Sequence, residues 1–318
     1  MLLSARETDL FEASRARLEA IAYRLLGSTG DAEDAVQDTF LRWQAADREH
    51  IHTPEAWLTK ALTNVCLTQL TSARARRETY VGEWLPEPVL AGDRMLGPAE
   101  TVEQRESVSM AVLTVMERLS PNERVVYVLR EAFGYPHAEI AAMLDLTESN
   151  CQQIHRRAKQ HLADRRVRTE TDLAAARRVV EEFLAAALSG DTAPLLRLLT
   201  ADAMTVTDGG GAVPARRAPI FGALRVARLL RGLFRPNAAL QALAQSLIGG
   251  SATFYAGTVN GGPAVVVAGG DRVVAVMALD VTPDGVAAIR VQANPAKLER
   301  ITRQWASVEH GEPLGTAW

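Results

Sequence analysis

Between Ser149 and His161 the chain carries no acid, while Asn150, Gln152, Gln153, His155, Arg156, Arg157, Lys159 and Gln160 crowd the same stretch. Amides can pair with base edges, and guanidinium or ammonium groups with phosphates, so these residue types point to nucleic-acid chemistry. Cys151, Ile154, Ala158 and Leu162 fall at i, i+3, i+7 and i+11, one narrow apolar stripe on a helix. Just upstream, Ser120-Pro121-Asn122-Glu123 reads as a capping box with proline at the first helical position. Val125, Val126, Val128, Leu129 and Phe133 give that helix its apolar face, and Gly134 ends it. Ile140, Ala141, Met143 and Leu144 give a short second helix, and Thr147 can cap the third after the turn at Asp145. This is the helix-turn-helix layout, in which the last helix presents its N-terminal residues to base edges. The same basic helix would also suit the solvated face of an ordinary bundle.

A second set of charges lies near the N-terminus. Asp31, Asp34 and Asp38 share one face of a predicted helix, with Ala35, Val36, Phe40 and Trp43 on another. They fit either a docking face or a solvated, dipole-compensating one. Catalytic chemistry is poorly served. Asp202, Asp208, Asp271, Asp280 and Asp284 mostly sit at predicted turns, no His/Asp pair is evident, and His310 lies in the tail. His50 and His52 read as an exposed loop pair rather than metal ligands. Cys66 and Cys151 occupy apolar helical positions, as buried reduced thiols do. We therefore expect no metal, no cofactor and no enzymatic activity.

The elements that must hold these groups fall into regions. The 318 residues, 47% hydrophobic and 23% charged with a net charge of −3, suit two or three globular domains with segregated charge. No secretory leader and no membrane-length apolar run is seen, so a cytoplasmic protein with no membrane partner is expected. Residues 1–78 read as helical, Ser28-Thr29-Gly30 making a turn and Pro54 opening a long helix that ends in Arg74, Arg76 and Arg77. Gly82, Pro86, Pro88, Gly92, Gly97 and Pro98 mark residues 79–99 as an extended linker, in which Trp84-Leu85-Pro86-Glu87-Pro88 needs a surface to dock on. Residues 100–165 hold a helix resuming at Pro98 and then the helix-turn-helix. From residue 172 to 300 the pattern becomes α+β. Two helices are followed by a short strand at Met204–Thr207, a helix over Ile220–Phe234, and an antiparallel meander with strands near Ala242–Ile248, Ala252–Thr258, Ala264–Ala268, Val273–Val281 and Val286–Ala293. Residues 301–318 read as a weakly specified tail.

Taken in order, three motifs resemble the extracytoplasmic-function class of bacterial RNA polymerase sigma factors. The stretch Asp31-Ala-Glu-Asp-Ala-Val-Gln-Asp-Thr-Phe is similar to region 2.2, and Pro54-Glu-Ala-Trp-Leu-Thr-Lys-Ala-Leu-Thr-Asn to regions 2.3 and 2.4. Tyr135-Pro-His-Ala-Glu-Ile-Ala with the basic helix is similar to region 4.2. The Glu78–Pro88 stretch, the loop Asp208-Gly209-Gly210-Gly211 and Asn294-Pro295-Ala296-Lys297-Leu298 further resemble the sigma-J-like subgroup, whose C-terminal domain is a SnoaL-like cone. Two positions depart from that pattern: Ala212 stands where a basic residue usually follows the glycines, with Arg216 and Arg217 nearby, and Thr68 where an acid is common.

The resemblance implies σ2 and σ4 helical modules followed by an α+β SnoaL-like domain. It implies core RNA polymerase and promoter DNA as partners. Asp31, Asp34, Asp38 and Arg42 would dock on the β′ clamp helices. Trp57, Lys60, Asn64, Arg74 and Arg77 would meet the −10 element, although Trp57 could equally be core. Ser149, Asn150, Gln152, Gln153, Arg156, Arg157 and Lys159 would meet the −35 element. Trp84, Leu85 and Pro86 would contact Asp208, Gly209, Gly210 and Gly211, letting the C-terminal domain regulate in cis. SnoaL-like cones can also hold a small-molecule ligand, so the competing expectation is a helix-turn-helix regulator with a sensing or enzymatic domain.

Overall fold

A computed structural model of the chain describes residues 4–78, 80–98, 101–163, 173–235 and 238–317. It divides into two units, one of Met1–Thr79, Gly92–Val108 and Val112–Arg166, the other of Tyr80–Ala91, Ser109–Ala111 and Val167–Trp318. The expected linker is thus split, its first half belonging with the C-terminal domain. Among the described residues no helix is long and apolar enough to cross a membrane.

The helical unit begins with α1 (Ala5–Leu26), opened by a Ser4/Glu7 capping box and closed by Gly27 at φ 69°. Ser28 caps α2 (Thr29–Ala45), so Thr29 and Gly30 are helical rather than the expected turn; the Ser28 hydroxyl satisfies the Asp31 N–H and lets the helix start early. α3 (Pro54–Glu78) completes a three-helix module around Phe11, Ile21, Leu25, Trp43, Leu58, Leu62 and Cys66. The helix expected to run on from Pro98 is instead broken into α4 (Val102–Glu106) and α5 (Met110–Met116). Thr101 and Gln104 form a capping box that starts α4 late. Next come α6 (Pro121–Tyr127), with its Ser120/Glu123 capping box, and a π-helical turn over Val128–Ala132. α7 (His137–Met143) and α8 (Glu148–Ala163) form the helix-turn-helix.

Two buried arginines tie these helices together. The Arg24 guanidinium of α1 donates to Ser107 Oγ at 2.9 Å and to the backbone carbonyls of Met95 and Leu96. Arg124 of α6 donates in turn to the Arg24 carbonyl and to Glu117. Burial pulls both guanidinium pKa values down. Such groups are tolerated inside a protein only when hydrogen-bonded.

In the second unit, α9 (Leu173–Leu188) and α10 (Thr192–Leu198) precede β1 (Leu199–Asp208), a longer strand than expected. β2 (Ile220–Phe221) then pairs antiparallel with β1 before α11 (Ala223–Phe234), so the expected helix starts late. α12 (Ala238–Ile248) replaces the strand expected near Ala242–Ile248. Leu240, Leu243, Ala244 and Leu247 recur at helical spacing, a period that overrides the short apolar run. β3 (Ala252–Val259), β4 (Gly262–Gly269), β5 (Arg272–Thr282) and β6 (Gly285–Gln292) form the meander. β6 then pairs in parallel with β1, so the sheet is mixed rather than purely antiparallel. The tail is structured: α13 (Glu299–Trp305) buries Ile301 and Trp305, and β7 (Gly315–Ala317) pairs with β3. The sheet order is β2-β1-β6-β5-β4-β3-β7.

Both faces of this sheet are covered. On the inner face Phe254, Val265, Val267, Met277, Leu279 and Ile289 pack with Val180, Phe183, Leu184, Val226 and Leu230 of α9 and α11. On the outer face Ala264, Val266 and Val276 pack with Leu298, Ile301 and Trp305.

Candidate functional site

The four candidate sites differ in how their residues are held. On α2, Ala32, Ala35, Val36, Thr39 and Trp43 face the core, which turns Asp34, Asp38 and Arg42 to solvent; Asp31 is half-buried at the helix start. Leu41 joins the exposed stripe at 52% exposure, an apolar residue that the reading of charges had passed over.

On α3, Asn64 is exposed and Trp57 is half-buried, its ring tilted against Trp43 with centroids 5.5 Å apart. Trp57 therefore has a packing partner and a solvent-facing part. Lys60 is engaged rather than open: its Nζ donates to the Ala142 carbonyl at 2.9 Å and to Asp145 Oδ1 at 3.2 Å. A cation there sits against the last turn of α7, where free carbonyls concentrate negative potential. The side chains of Arg74 and Arg77 lie outside the described residues.

α8 presents Ser149, Asn150, Gln152, Gln153, Arg156, Arg157 and Lys159 to solvent, and buries Cys151, Ala158 and Leu162 with Ile154 half-buried. The Thr147 hydroxyl accepts from the Asn150 N–H at 3.2 Å and anchors its start. His155 departs from the expected basic face. Its ring nitrogens lie 2.9 Å from Glu131 Oε1 and 3.2 Å from His137 Nε2. Lys159 also reaches Glu131, at 3.4 Å. The hydrogen bond from His155, helped by the nearby Lys159 charge, holds the Glu131 carboxyl down to about 2. Burial, then the positive charges of His155 and Arg130, lowers His137.

The fourth site is a buried polar network. Tyr80–Ala91 runs along the outer face of the C-terminal sheet, with Leu85, Pro86, Pro88 and Val89 buried. Asp208, at the end of β1, has no exposure. It accepts from the Tyr80 hydroxyl at 2.6 Å, the Leu85 N–H at 2.9 Å, the Gly210 N–H at 3.0 Å and Lys297 Nζ at 2.7 Å. Lys297 also donates to the Leu85 carbonyl at 2.7 Å, and lies 4.2 Å from the Trp84 ring centroid and 4.7 Å from that of Tyr80. Gln292 donates to the carbonyls of Leu85 and Pro86, and Asn294 to the Tyr80 hydroxyl. Burial and the adjacent Asp208 carboxylate push the Tyr80 hydroxyl pKa up. A second clamp follows: Val89 and Asn260 exchange two hydrogen bonds of 3.1 and 2.9 Å, with Asn260 at φ 53°.

Gly210 has to be glycine here. Its φ is 59°, and a Cβ would lie 2.2 Å from the Asn294 side chain. The network thus holds Leu85 directly on Asp208, and sets Trp84 over Lys297, which Asp208 also accepts from. The cation paired with the loop is Lys297, not a residue at position 212. Gln292 and Asn260 were missed from sequence; an amide ending an apolar strand and an Asn beside a Gly-Gly turn were the available signals.

The family profile described as "Sigma-70 region 2" matches residues 10–76, and "Sigma-70, region 4" matches residues 109–162. The "ECF RNA polymerase sigma factor SigJ" of Mycobacterium tuberculosis is 38% identical over 71% of this chain and 73% of its own length. The "Probable ECF RNA polymerase sigma factor SigI" of the same species is 31% identical over 91% and 93%. The crystal structure of M. tuberculosis SigJ superposes with a TM-score of 0.69 at 32% identity, covering 91% of this chain and 97% of that one. Its coverage extends through the α+β domain and fits a SnoaL-like reading. Region 2 and region 4 in order, in helices of the right kind, together with two relatives matched over most of their length, place the chain among the extracytoplasmic-function RNA polymerase sigma factors, which bind core polymerase and promoter DNA to initiate transcription.

Proposed function

We propose that the C-terminal domain sets the activity of this sigma factor in cis by holding the first half of the linker. The observation that carries the reading is the buried Asp208 carboxylate, which accepts from both the Tyr80 hydroxyl and the Leu85 N–H. A tethered clamp needs little intrinsic affinity, because a short connection supplies roughly millimolar local concentration. The exposed face of Asp34, Asp38 and Arg42, with Asp31 at its start, docks on the β′ clamp helices. Trp57, Lys60 and Asn64, with Arg74 and Arg77, meet the −10 element. An extruded base there costs a few kcal/mol to unstack, least in an opening duplex. Ser149, Asn150, Gln152, Gln153 and Arg156 read or position the −35 element, while Arg157 and Lys159 meet phosphate. Lys60 must leave Ala142 and Asp145 before it can meet the −10 element. Asp280 is paired with Arg290 on the outer sheet face, and among the described residues no acid or histidine lines the cavity on the inner face, which favours a regulatory rather than catalytic domain.

The test is transcription in vitro with core polymerase over genomic DNA. The full chain, a chain ending near Thr171, and Trp84→Ala are compared. Start sites sharing −35 and −10 elements are expected from the full or the shortened chain, with output differing between them and shifted in the same direction by Trp84→Ala. Equal output from all three, with equal protease sensitivity of residues 80–91, removes the regulatory reading.

A further inference from the structure

The inner face of the C-terminal sheet does not close fully against its helices. A cavity of about 530 Å³ lies between Phe254, Val267, Met277 and Val291 of the strands and Leu233 and Leu243 of α11 and α12. That size is in the range that encloses a small organic molecule. Its lining is apolar except for Thr207 and one cation, Arg216, at the exposed mouth. A neighbouring depression shares Arg216, Leu229, Leu233 and Ala239 and adds Arg225 and Arg228. Among the described residues no acid lines either space. Among the described residues Arg216 makes no ion pair.

We propose that this cavity binds an amphiphilic carboxylate, with its hydrocarbon body between the sheet and α11/α12 and its carboxylate on the Arg216 guanidinium. An apolar enclosure selects for a hydrocarbon body, and a planar fork of N–H donors at the rim matches a single carboxylate bidentately. With no carboxylate, histidine, lysine or thiol among the described lining residues to activate the Thr207 hydroxyl, the ligand is bound and not turned over.

The place of the cavity gives binding a route to the linker, a step that rests on the regulatory reading above. Thr207 lines the cavity and its neighbour Asp208 holds the linker from the opposite face of β1. Beyond Asp208 the loop folds back, the Ala212 and Val213 N–H groups both donating to the Gly209 carbonyl at 3.0 Å, and Val213–Arg216 form the mouth. A Cβ on Gly209 would lie 2.3 Å from the Val213 carbonyl oxygen, so this fold-back is tight. One short segment therefore carries the mouth of the cavity at one end and the linker clamp at the other.

The experiment uses the full chain with dansyl-undecanoic acid as fluorescent probe, laurate as competitor, and dodecanol as the same chain without the charge. Saturable one-to-one binding, displaced by laurate, is expected. Arg216→Gln, at an exposed position, weakens laurate about tenfold and leaves dodecanol unchanged, the effect of losing one charge-assisted contact. Ala239→Trp, also exposed, blocks both. No saturable binding, or equal loss of laurate and dodecanol in Arg216→Gln, overturns the assignment. Protease protection of residues 80–91 is read with and without laurate. A change supports the coupling, and bound laurate with unchanged protection overturns it, whatever Trp84→Ala does to transcription.

Discussion

Two lysines of this chain make nearly the same contacts with opposite consequences. Lys60 and Lys297 each donate to one backbone carbonyl and one aspartate, Ala142 and Asp145 in the first case, Leu85 and Asp208 in the second. The Lys60 side chain is 41% exposed and its carboxylate partner 86%; for Lys297 and Asp208 the figures are 10% and 0%. Water competes for the first pair, which is worth about 0.2–1 kcal/mol. The second pair is committed, because removing either partner strands a buried charge. A contact that must be given up for promoter binding is built from the cheap version, and a contact that holds a linker in place from the costly one.

The comparison breaks most sharply at Asp208. Asp208→Ala leaves the buried Lys297 charge without its carboxylate and the Leu85 N–H without its acceptor, and we expect a loss of about 3–5 kcal/mol in denaturant unfolding of the C-terminal domain. Rapid proteolysis of residues 80–91 should accompany it; an intact linker and a loss below 1 kcal/mol would contradict the reading. On the DNA face, Arg156→Ala should weaken binding to a −35 duplex by about 1–3 kcal/mol if it reads a base. Arg157→Ala should instead weaken all sequences alike and reduce the salt slope by about 1. Asp145→Asn, which removes the charge but keeps a residue suited to the φ of 54° there, should change stability by less than about 1 kcal/mol and leave or raise −10-dependent initiation, whereas Lys60→Ala should lower it. Equal effects from these two substitutions would mean that Lys60 acts only in packing.

The smallest effect expected is a pH dependence at α7 and α8. His137 faces His155, Arg130, Glu131 and Glu148, and its pKa is lowered from 6.5, chiefly by burial. Below 6.5 the unfolded chain then binds the proton more readily, so stability present above that pH is lost as it falls through the folded value. Glu131 has the same sign but loses its share only between 4.5 and about 2. Amide protection factors in α7 and α8, with the intrinsic pH dependence of exchange divided out, should be lower at pH 5.5 than at 7.5, and His137→Gln should flatten that difference.

Periodicity exposed the parts of this molecule that meet water on one side only. The Cys151, Ile154, Ala158 and Leu162 stripe located α8 and its opposite face, and Ser120 and Glu123 located the start of α6. It was less informative where both sides are covered. α12 looked like a strand because its alanines and leucines are apolar around most of the helix. The tail looked loose because Ile301 and Trp305 are spaced singly among charges, yet each fills the outer face of the sheet. The clamp was half legible: Trp84 and the glycine loop stood out by type, whereas Gln292 and Asn260 matter through partners 206 and 171 residues away. The engagement of Lys60 by Asp145, likewise, is a property of packing that no local pattern carries.

That sequence separation also sets a clock. Lys297 follows Leu85 by 212 residues, so at about 5–20 residues per second it leaves the ribosome roughly 10–40 s after the linker it will hold. For that interval the helical modules and their linker exist as a nascent chain before the residue that completes the clamp has been made. A freshly translated molecule thus passes through an unclamped youth, and the moment of restraint is set by the 212 residues that separate the linker from the lysine that holds it.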